Sequence, residues 1–145
     1  MRHMAAKVCG TRRAVLVLDD EPVVLRVVAA ALGQNGFEVL TAERPEEARG
    51  LFHTHADALC LAVIDLALTG MTGVDFVNSL PTLTPRIPIL FITGLGDVEA
   101  EDTLPPNSAV LHKPFKVDAL MNAIYAVVSP TSAASSQASG GTPPG

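Results

Sequence analysis

Three acidic side chains directly follow apolar runs in this sequence. Asp19 and Asp20 come after Ala14–Leu18, and Asp65 comes after residues 59–64. Such runs are typical of buried parallel strands, whose carboxyl ends share one edge of a sheet. Carboxylates held close together repel one another unless a cation neutralises them. A hard divalent ion with oxygen ligands, most simply Mg²⁺, is therefore the expected cofactor.

A hydroxyl and an ammonium group join these carboxylates at the same predicted edge. Thr93 follows the apolar run at 87–92, and Lys113 follows the run at 109–111. Next to a metal, a carboxylate can act as the nucleophile toward a phosphoryl group. Lys113 would then neutralise the phosphoryl oxygens, and Thr93 would donate a hydrogen bond to one of them.

The three acids are not equivalent in this scheme. Asp65 is the candidate nucleophile because it stands alone after the predicted central strand. Asp19 and Asp20 are the candidate metal holders. Both also suit a helix N-cap before Pro22, which is the alternative that involves no chemistry.

Short apolar runs alternate with longer amphipathic patterns along the chain. The runs predict five strands, at 14–18, 37–41, 59–64, 87–92 and 109–111. The amphipathic patterns predict helices at 23–32, 45–53, 74–80, 97–104 and 117–128. Pro105 and Pro106 limit the fourth helix. This alternation indicates an α/β fold with a parallel sheet and helices on both faces.

The length of 145 residues suits one domain. We expect an N-terminal extension at 1–12 and the folded domain at 13–128. Residues 129–145 contain only Ser, Pro, Thr, Ala, Gln and Gly, so they are expected to form a disordered tail or a linker.

The composition argues against several classes of function. A net charge of −5 disfavours direct nucleic-acid binding, which relies on clustered Lys and Arg. No apolar run reaches the roughly 18 to 20 residues that span a bilayer, so membrane insertion is not expected. The two cysteines, Cys9 and Cys60, lie far apart in the sequence, so a disulfide framework or a zinc site is not expected. The N-terminus lacks a secretory signal, and we expect a cytoplasmic location.

Five motifs in this order and spacing resemble the receiver domains of two-component response regulators. The resemblance covers residues 14–128. Its motifs are Val-Leu-Val-Leu-Asp19-Asp20-Glu21-Pro22, Ala-Val-Ile-Asp65-Leu, Gly70-Met-Thr-Gly73, Phe-Ile-Thr93-Gly94 and His-Lys113-Pro114-Phe115. It implies a flavodoxin-like, doubly wound five-stranded sheet with strand order 2-1-3-4-5.

The resemblance also implies roles for individual residues. Receivers take a phosphoryl group from a phosphohistidine, and Asp65 would be the phosphoacceptor. Asp20 would bind Mg²⁺ directly and Asp19 through water, while the backbone carbonyl of Ala67 would complete the protein ligands. Asp65 would also contact the metal.

Thr93 would be the switch hydroxyl and Lys113 the phosphate partner, with a cis bond between Lys113 and Pro114. The chain departs from the family pattern at Thr69, where Pro is usual, and at Val110, where many receivers have an aromatic residue.

The implied function is a signalling switch rather than an enzyme with an external substrate: it catalyses its own phosphorylation and the slow hydrolysis of the aspartyl phosphate. Its partners would be a histidine kinase or a histidine phosphotransfer protein, together with a downstream effector protein. A homodimer through the face of the fourth and fifth predicted helices is a further candidate.

Two other functions stay open at this stage. One is a receiver that docks partners without phosphorylation. The other is a phosphohydrolase similar to the haloacid dehalogenases, which would need a second Asp where this chain has Ala67.

Overall fold

The computed structural model describes residues 4–80, 87–94 and 104–128. Its strands are β1 (Ala14–Leu18), β2 (Glu38–Ala42), β3 (Leu59–Asp65), β4 (Ala67–Leu68), β5 (Met71–Thr72), β6 (Ile89–Thr93) and β7 (Ser108–His112). Its α-helices are α1 (Met4–Cys9), α2 (Pro22–Gln34), α3 (Pro45–Thr54), α4 (Gly73–Asn78) and α5 (Val117–Val128). Residues 97–103 of the predicted fourth helix and the predicted tail at 129–145 lie outside the described residues.

Five parallel strands form the main sheet in the order β2-β1-β3-β6-β7. Strands β4 and β5 form a separate antiparallel pair, so they interrupt the numbering but not the sheet. Counted along the chain without that pair, the strand order is 2-1-3-4-5. The predicted flavodoxin-like fold is therefore confirmed.

Helices cover both faces of the sheet because each central strand buries side chains on both sides. All five residues of β1 and all five of β6 are buried. On one face, Phe52 of α3 and Phe76 of α4 pack against the sheet. On the other face, Leu32 of α2 and Ile124 of α5 do so. In the described part of the chain, no helix combines the length and apolar character that crossing a bilayer requires.

Prolines and one hydroxyl mark where the helices begin. Pro22 and Pro45 lie in the first turns of α2 and α3, where a missing N–H costs no helical hydrogen bond. Thr72 caps α4, because its Oγ1 accepts a hydrogen bond of 3.0 Å from the backbone N–H of Asp75. The helix α2 thus begins directly after the acidic residues that follow β1.

Two features of the N-terminal segment differ from the sequence analysis. Residues 4–9 form the helix α1, which was not predicted, and Cys9 at its end is joined to Cys60 by a disulfide. The expectation of no disulfide was therefore wrong. The expectation relied on the separation of the two cysteines along the chain. In the fold Ala14 pairs with Leu59, so the segment before β1 lies beside the start of β3.

Candidate functional site

Asp19 lies immediately after β1 and is almost fully buried, with 1% of its surface exposed. Its Oδ1 accepts a hydrogen bond of 2.8 Å from the backbone N–H of Glu21. Its Oδ2 is buried and accepts no hydrogen bond among the described residues. A buried carboxylate oxygen without a donor is costly, so this atom needs a cation or a proton.

Asp65 ends β3, the central strand of the sheet, and has 3% of its surface exposed. Its Oδ1 accepts a hydrogen bond of 3.0 Å from the backbone N–H of Ala67, which holds the carboxylate in one orientation. Its Oδ2 faces Lys113. The neighbouring strand β6 ends beside it, with Asp65 paired to Ile92.

Lys113 follows β7 and points its ammonium among the carboxylates. Its Nζ lies 2.6 Å from Glu21 Oε1, 3.3 Å from Asp65 Oδ2 and 3.5 Å from Asp19 Oδ2. The Lys113–Pro114 peptide bond is cis, as the resemblance implied. The structure thus brings Asp19, Asp65 and Lys113 together as predicted.

Thr93 ends β6 and is fully buried. Its Oγ1 donates a hydrogen bond of 3.2 Å to the carbonyl of Gly94, and its own carbonyl accepts one of 2.7 Å from the backbone N–H of Lys113. The second of these bonds links the ends of β6 and β7. It holds Thr93 and Lys113 at the same edge of the sheet.

Asp20 stands apart from the carboxylates around Lys113. It is half-buried, and its Oδ2 accepts a hydrogen bond of 2.8 Å from Thr69 Oγ1. Thr69 is one of the two positions where the chain departs from the family pattern. The hydroxyl in place of the usual proline therefore gives Asp20 a partner on the β4–β5 turn.

Glu21 is the site residue that sequence reasoning missed. Its carboxylate is paired with Lys113, and one oxygen each from Asp19, Glu21 and Asp65 lie within 4.8 Å of one another. The uninterrupted run Asp19-Asp20-Glu21 was the signal that could have found it. Glu21 is exposed and reaches Lys113 from the rim of the pocket, and which of two adjacent acids does so is decided by side-chain conformation and not by spacing.

These residues fit a magnesium ion. Three carboxylates supply the hard oxygen ligands that Mg²⁺ prefers, and the Oδ2 of Asp19 is paired with the Lys113 ammonium but accepts no hydrogen bond among the described residues. The contact that Ala67 makes with the pocket is the hydrogen bond from its backbone N–H to Asp65. Its carbonyl and Asp20 remain predicted ligands.

Burial and neighbouring charges shift the pKa values of two groups in the pocket, Asp19 and Lys113. Burial raises the pKa of Asp19 from 3.8 to about 7; the N–H of Glu21 lowers it, the Asp65 carboxylate raises it, and the Lys113 ammonium lowers it. Burial lowers the pKa of Lys113, but the hydrogen bond to Glu21 and the carboxylates of Asp19 and Asp65 raise it by more. The pKa of Lys113 thus lies above its usual range, and the ammonium stays charged.

The raised pKa of Asp19 predicts how pH affects the metal-free chain. Between pH 3.8 and about 7 the folded chain holds a proton that the unfolded chain releases. The contribution of this proton to the free energy of unfolding is full below pH 3.8 and is lost as the pH rises to about 7. Relative to wild type, Asp19→Asn should therefore gain unfolding free energy as the pH rises.

Urea unfolding in EDTA at several pH values across this window measures the effect. The control is Asp57→Asn, which removes an exposed carboxylate on the short helix Ala56–Ala58. A difference between wild type and Asp19→Asn that does not change with pH would mean that Asp19 is already ionised in the folded chain.

Comparison with known proteins decides the family. The family model for the response regulator receiver domain matches residues 15–125 of the sequence, which is most of the chain. The chain belongs to the response regulator receiver family. This receiver domain is thus related to signalling switches of two-component systems.

Relatives of known sequence and structure agree with this assignment. Nodulation protein W of Bradyrhizobium diazoefficiens is 32% identical over 119 residues, covering 81% of this receiver domain's chain and 52% of that relative. The chain therefore matches about half the length of that protein. The Vibrio cholerae chemotaxis protein CheY4 is 25% identical with a TM-score of 0.70, covering 79% of this chain and 97% of that one.

A receiver domain protein from Clostridium thermocellum shows the same fold. It has a TM-score of 0.70 at 24% identity and covers 83% of this chain and 97% of its own. At this identity the likeness shows the fold.

Proposed function

We propose that this receiver domain accepts a phosphoryl group on Asp65 from a phosphohistidine and passes the change of state to a partner. The observation that carries the proposal is the position of the Lys113 ammonium, within 3.5 Å of both Asp65 and Asp19 at the end of the central strand. Family membership supports it, since receivers are the switches of two-component systems.

Each residue of the pocket would have a different role in phosphoryl transfer. The Asp65 carboxylate attacks phosphorus, the P–N bond to the donor histidine breaks, and the imidazole nitrogen keeps the electron pair. The Lys113 ammonium then pairs with a phosphoryl oxygen, which releases it from Asp65. Thr93 lies at the neighbouring strand end and would donate its hydroxyl to another phosphoryl oxygen after a change of rotamer.

The carboxylates of Asp19, Glu21 and Asp65 would hold Mg²⁺, with Asp20 as the further predicted ligand. When bound, the ion supplies positive charge that neutralises the carboxylates and the phosphoryl oxygens. Asp19 would need to lose its proton to serve as a ligand.

The proposed partners follow from this chemistry. The donor is a histidine kinase or a histidine phosphotransfer protein, and the receiver of the signal is a downstream effector protein. An apolar groove of about 490 Å³ opens beside the pocket and includes Glu21 and Lys113 in its lining. We place the donor's phosphohistidine at this opening, because both residues belong also to the acidic pocket.

We propose a cytoplasmic location and residues 13–128 as the receiver unit. A homodimer through the face that includes α5 remains part of the proposal. Slow hydrolysis of the aspartyl phosphate would reset the switch, with no external substrate turned over.

Phosphate-affinity gel electrophoresis tests the proposed function. The chain is incubated with acetyl phosphate in Mg²⁺ or in EDTA. We expect a retarded band in Mg²⁺ alone. If the folded chain shows no retarded band with acetyl phosphate or with a phosphorylated histidine phosphotransfer protein, the proposal fails and a docking role without phosphorylation takes its place.

Lys113→Ala should separate phosphate contact from metal binding. Loss of the ammonium should slow phosphoryl uptake by about 100-fold, because it removes the side chain that neutralises the phosphoryl oxygens. Mg²⁺ affinity should not fall, since a charged ammonium group cannot be a ligand of the ion and its loss removes a competitor for the carboxylates. The rate of adduct formation and calorimetric Mg²⁺ titration measure the two effects.

Lys116→Ala is the matched control, because Lys116 is exposed three residues further on. A Lys113→Ala variant that loses Mg²⁺ affinity as strongly as phosphoryl uptake would contradict the role assigned to Lys113.

A further inference from the structure

Helix α1 is an addition to the receiver fold, since it lies before the matched residues 15–125. It is nevertheless docked on the domain. Ala5 is fully buried within the apolar cluster that includes Leu32 and Ile124, and its backbone N–H donates a hydrogen bond of 3.1 Å to the carbonyl of Asn35. The helix therefore covers part of the core on the side of α2 and α5.

The disulfide ties the end of this helix to the central strand. Cys9 is the last residue of α1, and Cys60 is the second residue of β3. Their Cα atoms are 5.7 Å apart, within the range that a disulfide spans. Cys60 and Asp65 lie near opposite ends of the same strand, so the bridge is remote from the acidic pocket.

The bridge is open to solvent-borne reagents. Both cysteines are half-buried and line a surface cavity of about 180 Å³ together with Arg12. The thiolate is the form that carries out thiol–disulfide exchange, and a thiolate reagent can reach sulfurs that line an open cavity. Access of this kind is a feature of a disulfide that can be reduced and reformed.

We propose that Cys9–Cys60 is a redox-modification site that takes low-molecular-weight thiols and disulfides as its reagents and controls the docking of α1. A reductant thiolate attacks one sulfur and forms a mixed disulfide, while the other cysteine leaves as a thiolate and gains a proton. A second thiol then releases the small disulfide, so two thiols supply two electrons and both cysteines end as thiols.

Reduction should release α1 because few other described contacts hold it. A helix of six residues is not stable alone, and among the described side chains its docking then rests on Ala5, on Val8 and on the hydrogen bond from Ala5 to Asn35. In a reducing compartment a disulfide lasts only while oxidant is present. A sensing role therefore rests on the cytoplasmic location proposed above, but not on phosphoryl transfer.

The test uses the full chain equilibrated in glutathione buffers of increasing reduced-to-oxidised ratio. Thiols are trapped by acid and alkylated with a maleimide, and intact mass counts the labels. We expect no label in oxidising buffer and two labels in reducing buffer. Hydrogen exchange at the amides of α1 should accelerate at least tenfold on reduction, while exchange in β3 should not change.

The variant with both Cys9→Ser and Cys60→Ser should exchange like the reduced chain at every ratio. Two labelled thiols on the folded chain in fully oxidising buffer would show that no bridge forms, and equal α1 exchange in both states would show that the bridge does not control docking. The Asp65→Asn variant should respond to glutathione like wild type, so failure of phosphoryl uptake leaves this result unaffected.

Discussion

Asp65→Asn should abolish phosphoryl uptake and leave the receiver domain folded. An amide is not a nucleophile toward phosphorus. Asp65 ends the central strand β3, which lies between β1 and β6, and no other acid of the pocket occupies that position. The side-chain oxygen of asparagine can still accept the hydrogen bond from the N–H of Ala67. The substitution removes the repulsion between Asp65 and Asp19 and also one carboxylate partner of Lys113, which keeps Glu21 and Asp19, so stability should change little.

Intact mass after incubation with acetyl phosphate and Mg²⁺ measures uptake, and thermal unfolding checks the fold. Asp57→Asn makes the same chemical change on an exposed residue and should label like wild type. An adduct of undiminished yield on folded Asp65→Asn would assign the acceptor role to another residue.

Gly73→Ala should destabilise the domain by about 3 kcal/mol, because the new methyl group would meet backbone atoms that no rotamer change can move. Gly73 begins α4, and a Cβ at this position would clash with the backbone oxygen of Asp65 and would lie 3.1 Å from Ile64 Cγ2. The N–H of Gly73 also donates a hydrogen bond of 2.8 Å to the carbonyl of Leu66. Relief of the clash must push α4 away from the residue that we propose as acceptor.

Urea unfolding measures the stability change, and the rate of adduct formation shows whether Asp65 is displaced. Gly50→Ala is the matched control: Gly50 lies within α3 and a Cβ there meets nothing within 4 Å. That variant should be neutral or more stable by up to about 1 kcal/mol. Equal stability of the two variants would mean that the close approach of α4 to β3 is not rigid.

The sheet could be predicted from the sequence because its strands are continuous apolar runs. Residues 14–18 and 59–64 carry no polar side chain other than Cys60, a pattern that is typical of a strand buried on both faces. Acids directly after such strands then had to lie at the carboxyl edge. For this reason the grouping of Asp19, Asp65 and Lys113 followed from the order of elements alone.

Other features depend on side-chain choices that spacing does not encode. Asp20 and Glu21 are adjacent acids, but Glu21 reaches Lys113 while Asp20 is bonded to Thr69. The disulfide depends on the turn after α1: Arg13 Nε donates to the carbonyl of Gly10, and Gly10 has a φ of 61°. This change of chain direction brings Cys9 beside β3, and no periodic pattern of apolar residues in the sequence predicts it.

The most direct test of the central claim maps the phosphoryl group at residue level. The chain is phosphorylated with acetyl phosphate in Mg²⁺, the acyl phosphate is reduced with borohydride to convert the modified aspartate to homoserine, and peptides are sequenced by mass spectrometry. We predict homoserine at position 65 alone. Homoserine at position 19 or 20, or a stable adduct on a histidine, would contradict the assignment of Asp65 as the phosphoacceptor.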